Sequence, residues 1–81
     1  MASTNELAQR VDGVARVLMT LIADLEQREQ LDGARFCRDL RQLADARRTA
    51  AGLEVSAHVI EQIAEELDDA REARRSRGRR V

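Results

Sequence analysis

A heptad repeat of aliphatic residues runs through the first third of the chain. It advances in steps of four, three, four, three and four residues without interruption. Such an a/d pattern predicts an α-helix that packs against another helix along one face. Val17 and Ile22 flank the repeat and widen the apolar arc. The residues of the repeat, which we call the seam, are Leu7, Val11, Val14, Leu18, Leu21 and Leu25.

The chain is short for a protein that has to build its own core. It has 81 residues, which predicts one domain. A domain of this size buries only about 60% of its unfolded surface, so other means of stabilisation are common. One cysteine cannot form an internal disulfide, and one histidine is a poor start for a metal site. Oligomerisation or binding to a larger partner is therefore expected, with no cofactor and no metal.

Capping residues and glycines along the chain predict the ends of three helices in an all-α fold. The segment 3–6, Ser-Thr-Asn-Glu, is a capping box that starts helix 1, which we expect over about 5–31. Asp32-Gly33 predicts a turn, helix 2 covers about 34–51, and Gly52 follows as its C′ residue. Ser56 is a good N-cap for helix 3, about 56–75. The sequence thus predicts an antiparallel three-helix bundle, one long helix and two shorter, in a single domain 1–75 with a flexible arginine-rich tail at 76–81.

The second and third helices offer limited apolar surface to cover the first. Helix 2 has only Phe36, Leu40 and Leu43 as large apolar groups in one line. We expect part of the seam to stay uncovered within one chain, which favours a homodimeric, coiled-coil-like assembly. The alternative is a monomeric bundle in which one wide arc contacts both other helices. The predicted stripe of helix 3 consists of Val59, Ile60, Ile63, Leu67 and Ala70.

Composition also bears on origin and location. All 14 basic residues are arginine, which is typical of a GC-rich genome and suggests a bacterial or phage source. No apolar run approaches the roughly 20 residues of a membrane span, and the first residues do not resemble a signal peptide. A free thiol fits a reducing compartment. We expect a cytoplasmic protein without a membrane partner.

Residues that often carry catalysis are scarce. Cys37 would need His58, the only histidine, as its base, and it is better interpreted as a small, half-buried hydrophobe. His58, Glu61 and Glu65 share a spacing that could place three metal ligands on one face, but an exposed polar patch is the simpler interpretation. We recognise no family motif, and the sequence predicts a protein that is not an enzyme.

Arginines on helix 2 are the predicted contact surface for another protein. Arg47 projects in line with Leu40 and Leu43, where a core residue would be expected. It is either a side chain that extends to solvent at the end of the bundle or an anchor at an interface, where arginine is enriched. The predicted partner-binding residues are Arg38, Arg41, Arg47, Arg48 and the neighbouring Cys37.

The basic end of the chain supports an alternative partner. Helix 3 is acidic over most of its length, but its last turn and the tail that follows are basic and could hold phosphates of a nucleic acid or another polyanion. Cations at a helix C-terminus also favour the helix dipole, which gives them a purely structural role. The residues of this alternative site are Arg71, Arg74, Arg75, Arg77, Arg79 and Arg80.

The predicted function is therefore that of a small regulatory or adaptor protein that acts by protein–protein binding. A helical face would occlude a partner surface, as antiactivators, phage inhibitors and co-chaperones do. A small helical dimer that binds nucleic acid through the terminal arginines is the alternative.

Overall fold

The computed structural model describes residues 3–78 and consists of three α-helices. Helix α1 spans Thr4–Gln27, α2 spans Gly33–Arg48 and α3 spans Glu54–Gly78. The predicted all-α class is confirmed, and residues 3–78 contain no strand. The expected lengths were wrong in one respect. Helix α3 has 25 residues and α1 has 24, so two long helices accompany one short helix of 16 residues.

The N-terminus of α1 is capped as its sequence predicts. The backbone N–H of Glu6 donates to the Ser3 hydroxyl at 3.0 Å. The Glu6 carboxylate does not complete a reciprocal box, because it accepts instead from Arg10, one turn later, at 2.7 Å. The side-chain oxygen of the N-cap residue therefore satisfies one of the free N–H groups of the first turn.

Helix α1 ends four residues before the predicted position. Glu29 has φ of 59°, a left-handed conformation. The N–H of Gln30 donates to the carbonyl of Leu25 at 2.9 Å, and the N–H of Glu29 donates to that of Glu26 at 3.1 Å. This pair of bonds is the Schellman pattern of helix termination. Sequence reasoning missed it because glutamate occupies the position where glycine is usual.

The boundaries of α2 also depend on local hydrogen bonds. The Asp32 carboxylate accepts from the N–H of Arg35 at 3.1 Å and caps the start of α2. Helix α2 ends at Arg48, before the predicted end, and a turn follows that is closed from Leu53 N–H to Ala50 carbonyl at 3.2 Å. Gly52 has φ of 83° in this turn, a conformation that favours glycine, and it is not the C′ residue of α2 as predicted.

Helix α3 is longer than predicted at both ends. It begins at Glu54, where the N–H of Ala57 donates to the carbonyl of Leu53 at 3.0 Å, so the prediction of Ser56 as its N-cap was wrong. It continues to Gly78, so residues 76–78 are helical and do not belong to the predicted flexible tail.

Small residues form the interface between α2 and α3. The most buried side chains are Cys37 and Ala44 on α2, and Ala57, Ala64 and Leu67 on α3. Cys37 and Ala44 are seven residues apart, as are Ala57 and Ala64, so each pair lies on one helix face. Because these side chains are short, the two helices can approach closely. The buried line of α2 is thus Gly33, Cys37, Leu40, Ala44 and Arg47.

The observed buried line of α2 shares Leu40 with the predicted apolar line, but its members on either side of Leu40 lie one residue beyond the predicted ones. Leu43, expected in the core, is largely exposed, whereas Phe36 and Leu40 are half-buried. On α3, Ala70 is exposed although it was expected in the stripe. Leu43 is large and apolar but lies outside the α2–α3 interface, because the short side chains of Cys37 and Ala44 form the close contact between the two helices.

Helix α1 joins this pair through its second half. Met19 and Ile22 pack against the cluster of Cys37, Ala64 and Leu67. Together with Ala15 and Glu26, they form a half-buried line that advances in steps of four, three and four residues. We call Ala15, Met19, Ile22 and Glu26 the inner line of α1. It lies beside the seam and does not coincide with it.

Candidate helical interaction surface

The seam of α1 lies at the protein surface. Val17, which flanks it, exposes 69% of its surface, and Leu18 exposes 51%. Leu25, near the end of the helix, is half-buried. The internal core uses the inner line and leaves the seam exposed to solvent from Leu7 to Leu21. The exposed large apolar residues of α1 are Leu7, Val11, Val14, Val17, Leu18 and Leu21.

One edge of the seam continues onto α3. Val59 and Ile63 of α3 line an apolar depression together with Val11, Val14 and Leu18. The other edge is formed by Arg10, Val17 and Asp24, which occupy equivalent heptad positions. A single monomer rarely exposes a contiguous apolar patch of this kind without a binding role. An apolar face of this kind is a common docking site for an amphipathic helix.

A network of charged side chains links the C-terminal end of α1 to α2 and α3. The Arg71 guanidinium forms an ion pair with Glu26 from Nε, donates to Asp68 Oδ1 at 2.5 Å, and lies 3.6 Å from the Cys37 sulfur. Arg41 donates to Asp68 Oδ2 at 2.7 Å. The Glu26 and Arg71 side chains are each only 13% exposed. This network links all three helices, and sequence reasoning did not identify it.

The network shifts the protonation equilibria of its members. Burial alone would raise the pKa of Asp68, but hydrogen bonds from Arg71 and Arg41 outweigh it and hold that pKa below its ordinary value. Hydrogen bonding to Glu26 raises the pKa of Arg71 further. Burial raises the pKa of the Cys37 thiol, against the opposing effect of Arg71. A buried, protonated thiol is a poor nucleophile.

The predicted partner-binding residues of α2 have different environments. Cys37 is 1% exposed and lies inside the molecule, so it contributes nothing to a surface. Arg41 is engaged by Asp68, and Arg48 donates to Asp45 and lies 2.6 Å from Glu61. Arg38 is exposed and forms no ion pair within the described residues. The structure therefore does not bring the five residues together as one open surface.

Arg47 occupies the core line of α2, as its spacing suggested. It is half-buried, and its Nη1 donates weakly to the Ser56 hydroxyl at 3.4 Å. Its Nε is buried without a hydrogen-bond partner among the described residues. Arg47 therefore fills the end of the α2–α3 interface, and only part of its guanidinium is available to another molecule.

The terminal arginines divide into two groups. Arg71 and Arg74 face Glu26, the latter at 3.7 Å, and are largely covered. Arg75 and Arg77 are exposed in the last turns of α3, which continues to Gly78. Arg79 and Arg80 lie outside the described residues. Two of the six residues of the polyanion alternative are therefore already neutralised by carboxylates.

Residues 3–78 contain no group of three or more histidine, cysteine or acidic side chains placed to hold a metal ion, so His58, Glu61 and Glu65 do not converge. In the same part of the chain, no helix combines the length and the apolar character needed to cross a bilayer.

Comparison with models of known protein families, with curated proteins and with solved structures finds no significant match to this chain.

Proposed function

We propose that this chain is a small non-enzymatic regulatory or adaptor protein of the cytoplasm that acts by binding other proteins. Two copies assemble through the seam, and the assembled bundle occludes the surface of a partner. The exposure of the seam beside a separate internal line carries the proposal. The first helix has two apolar surfaces, and only one of them packs against the core formed within residues 3–78.

The order of contacts supports an antiparallel bundle as the assembling unit. Arg41 meets Asp68 and Arg48 meets Glu61, so position increases along α2 as it decreases along α3. Arg16 lies 3.6 Å from Glu66, and Glu26 pairs with Arg71, so α1 follows the direction of α3. Short connections between successive helices favour this arrangement.

The energetics support self-association through this surface. Full burial of one large aliphatic side chain contributes roughly 1.5–3 kcal/mol. The exposed seam residues are about half covered within one chain, so about half of that free energy is still available for association. Burying the seam of both copies would supply several kcal/mol, against the cost of association. A C2 homodimer is the commonest closed form that hides identical surfaces.

Light scattering over a concentration series tests the assembly. Leu18→Arg places a charge in the middle of the seam, and we expect it to give a folded monomer where the wild type is dimeric. Leu43→Arg is the matched control, because Leu43 is 45% exposed and lies on α2, away from the seam. It should leave the association unchanged. A wild-type chain that stays monomeric at high concentration would refute the assembly.

Capture experiments with charge-reversed variants test the partner class. Arg38→Glu alters an exposed arginine of α2 that forms no ion pair within residues 3–78, and Arg77→Glu alters an exposed arginine of α3. If the partner is a protein that contacts α2, capture is lost in Arg38→Glu and kept in Arg77→Glu. The reverse result, with binding that weakens steeply with salt, would favour the nucleic-acid alternative.

A further inference from the structure

The seam has a spacing that reads the same in both directions. Its steps of four, three, four, three and four place Leu7 and Leu25 at equal distances from Arg16, and Val11 and Leu21 likewise. A second copy of α1 that runs in the opposite direction therefore matches every seam residue with another one. No apolar position would be left without a partner.

The edge of the seam that lies opposite the α3 side is called the open edge here. Its charged residues distinguish an antiparallel pair of α1 helices from a parallel pair. Arg10, Val17 and Asp24 lie seven residues apart on this edge. In an antiparallel pair, this edge of one helix meets the same edge of the other, because the second helix is reversed. Arg10 then lies opposite Asp24 of the second copy at both ends, and Val17 meets its own counterpart at the two-fold axis.

A parallel pair would lack this complementarity. It would align Arg10 and Val17 with the opposite edge of the second copy, which carries Ala15 and Ile22. Ile22 packs against the internal core, and Ala15 is half-buried. The opposite edge is therefore occupied within each chain, and neither Arg10 nor Asp24 would gain a partner of opposite charge.

We propose that two copies of this chain pair through α1 in antiparallel orientation, with Arg10 of each copy against Asp24 of the other and Val17 at the two-fold axis. The inference rests on the proposed function, since it specifies the geometry of the assembly proposed there. It also accounts for Val17, the most exposed large apolar residue of α1, which is outside the seam and central to the open edge.

Mixing two charge variants tests the orientation. Arg10→Asp creates two acid–acid contacts in its own antiparallel dimer, and Asp24→Arg creates two base–base contacts. We expect each variant alone to raise the dimer dissociation constant about tenfold. In an equimolar mixture, one copy of each restores both opposite-charge contacts, so the heterodimer should associate like the wild type. Arg10→Asp removes the local ion pair of Arg10 with Glu6, and Asp24→Arg removes that of Asp24 with Arg28. These losses are the same in the mixture and in each variant alone. Any gain in association on mixing therefore reports the contact between copies.

Thiol cross-linking provides a second measurement. Val17→Cys should cross-link two copies rapidly with a short reagent, because the two thiols meet at the axis. Leu7→Cys should not, since its counterpart would lie about 27 Å away along the helix. The wild-type chain, whose thiol is buried, gives the background.

The outcomes separate this inference from the proposed function. A dimer that shows no heterodimer preference and cross-links through Leu7→Cys would overturn the antiparallel pairing and leave the dimer intact. Absence of any self-association in the wild type would refute both.

Discussion

The carboxylate of Glu26 lies where a side chain at position 33 would have to project. A Cβ added to Gly33 would overlap the Glu26 carboxyl group. Arg71 and Arg74 hold that carboxylate in place. Glycine at the first position of α2 therefore admits an acidic group of α1 into the junction of the three helices.

Replacing Gly33 with alanine should destabilise the fold. The Glu26 carboxylate could move away only by weakening its pairing with Arg71, so we expect a loss of about 1–3 kcal/mol in the free energy of unfolding. Urea denaturation at fixed protein concentration measures it. Gly13→Ala is the matched control, because an added Cβ there meets nothing within 4 Å. It should raise stability by up to about 1 kcal/mol, and equal effects of the two substitutions would contradict this role of Gly33.

Arg71→Met should cost more than the loss of an exposed ion pair. It leaves Glu26 mostly covered without its main cation, for which we expect a loss of about 2–4 kcal/mol. Adding Glu26→Gln in the same chain should recover part of the loss, because the uncompensated charge is then removed. Arg28→Met, which breaks an exposed helix pair with Asp24, should change the free energy of unfolding by less than about 0.5 kcal/mol. Thermal and urea unfolding of the three variants, compared with the wild type, test the ranking.

Acid should weaken the fold partly through Asp68. Its pKa is lower in the folded chain than the ordinary value of about 3.9, so the unfolded chain binds the proton first as pH falls. The stabilisation is present above that ordinary value and is lost as pH falls through the folded pKa. Asp68→Asn should reduce the dependence of stability on pH below about 4. In Arg41→Gln, an NMR titration should show the pKa of Asp68 moving upward, and an unchanged midpoint would argue against the Arg41 contact.

Glu29→Gly should stabilise the chain. Glu29 adopts a left-handed conformation that costs a side-chain-bearing residue about 1 kcal/mol relative to glycine. We expect the gain in the free energy of unfolding to be of that order, reduced by the greater flexibility of glycine in the unfolded chain. Glu29→Ala provides the comparison, because alanine has the same backbone restriction and should give no gain. A similar gain in both variants would indicate an effect of charge.

Local interactions made much of the chain predictable. Three helices follow from apolar periodicity, and the Ser3 cap follows from hydrogen-bonding groups that are close in sequence. The predicted end of α1 was wrong because Glu29 accepts a conformation that its side chain disfavours, which only the completed turn reveals. The seam was evident from spacing alone, but spacing could not say whether the seam faces inward.

The helical character of this protein and the heptad seam of its first helix follow from the order of the residues, because both depend on positions a few residues apart. The helix faces that contact one another are evident only in the packed fold. The α2–α3 interface buries Cys37 and Ala44 and leaves Leu43 largely exposed, since short side chains allow two helices to approach closely. Glu26 and Arg71, 45 residues apart, meet because α1 packs against α3. Because α1 packs through its inner line, most of the seam stays exposed and forms the candidate interaction surface.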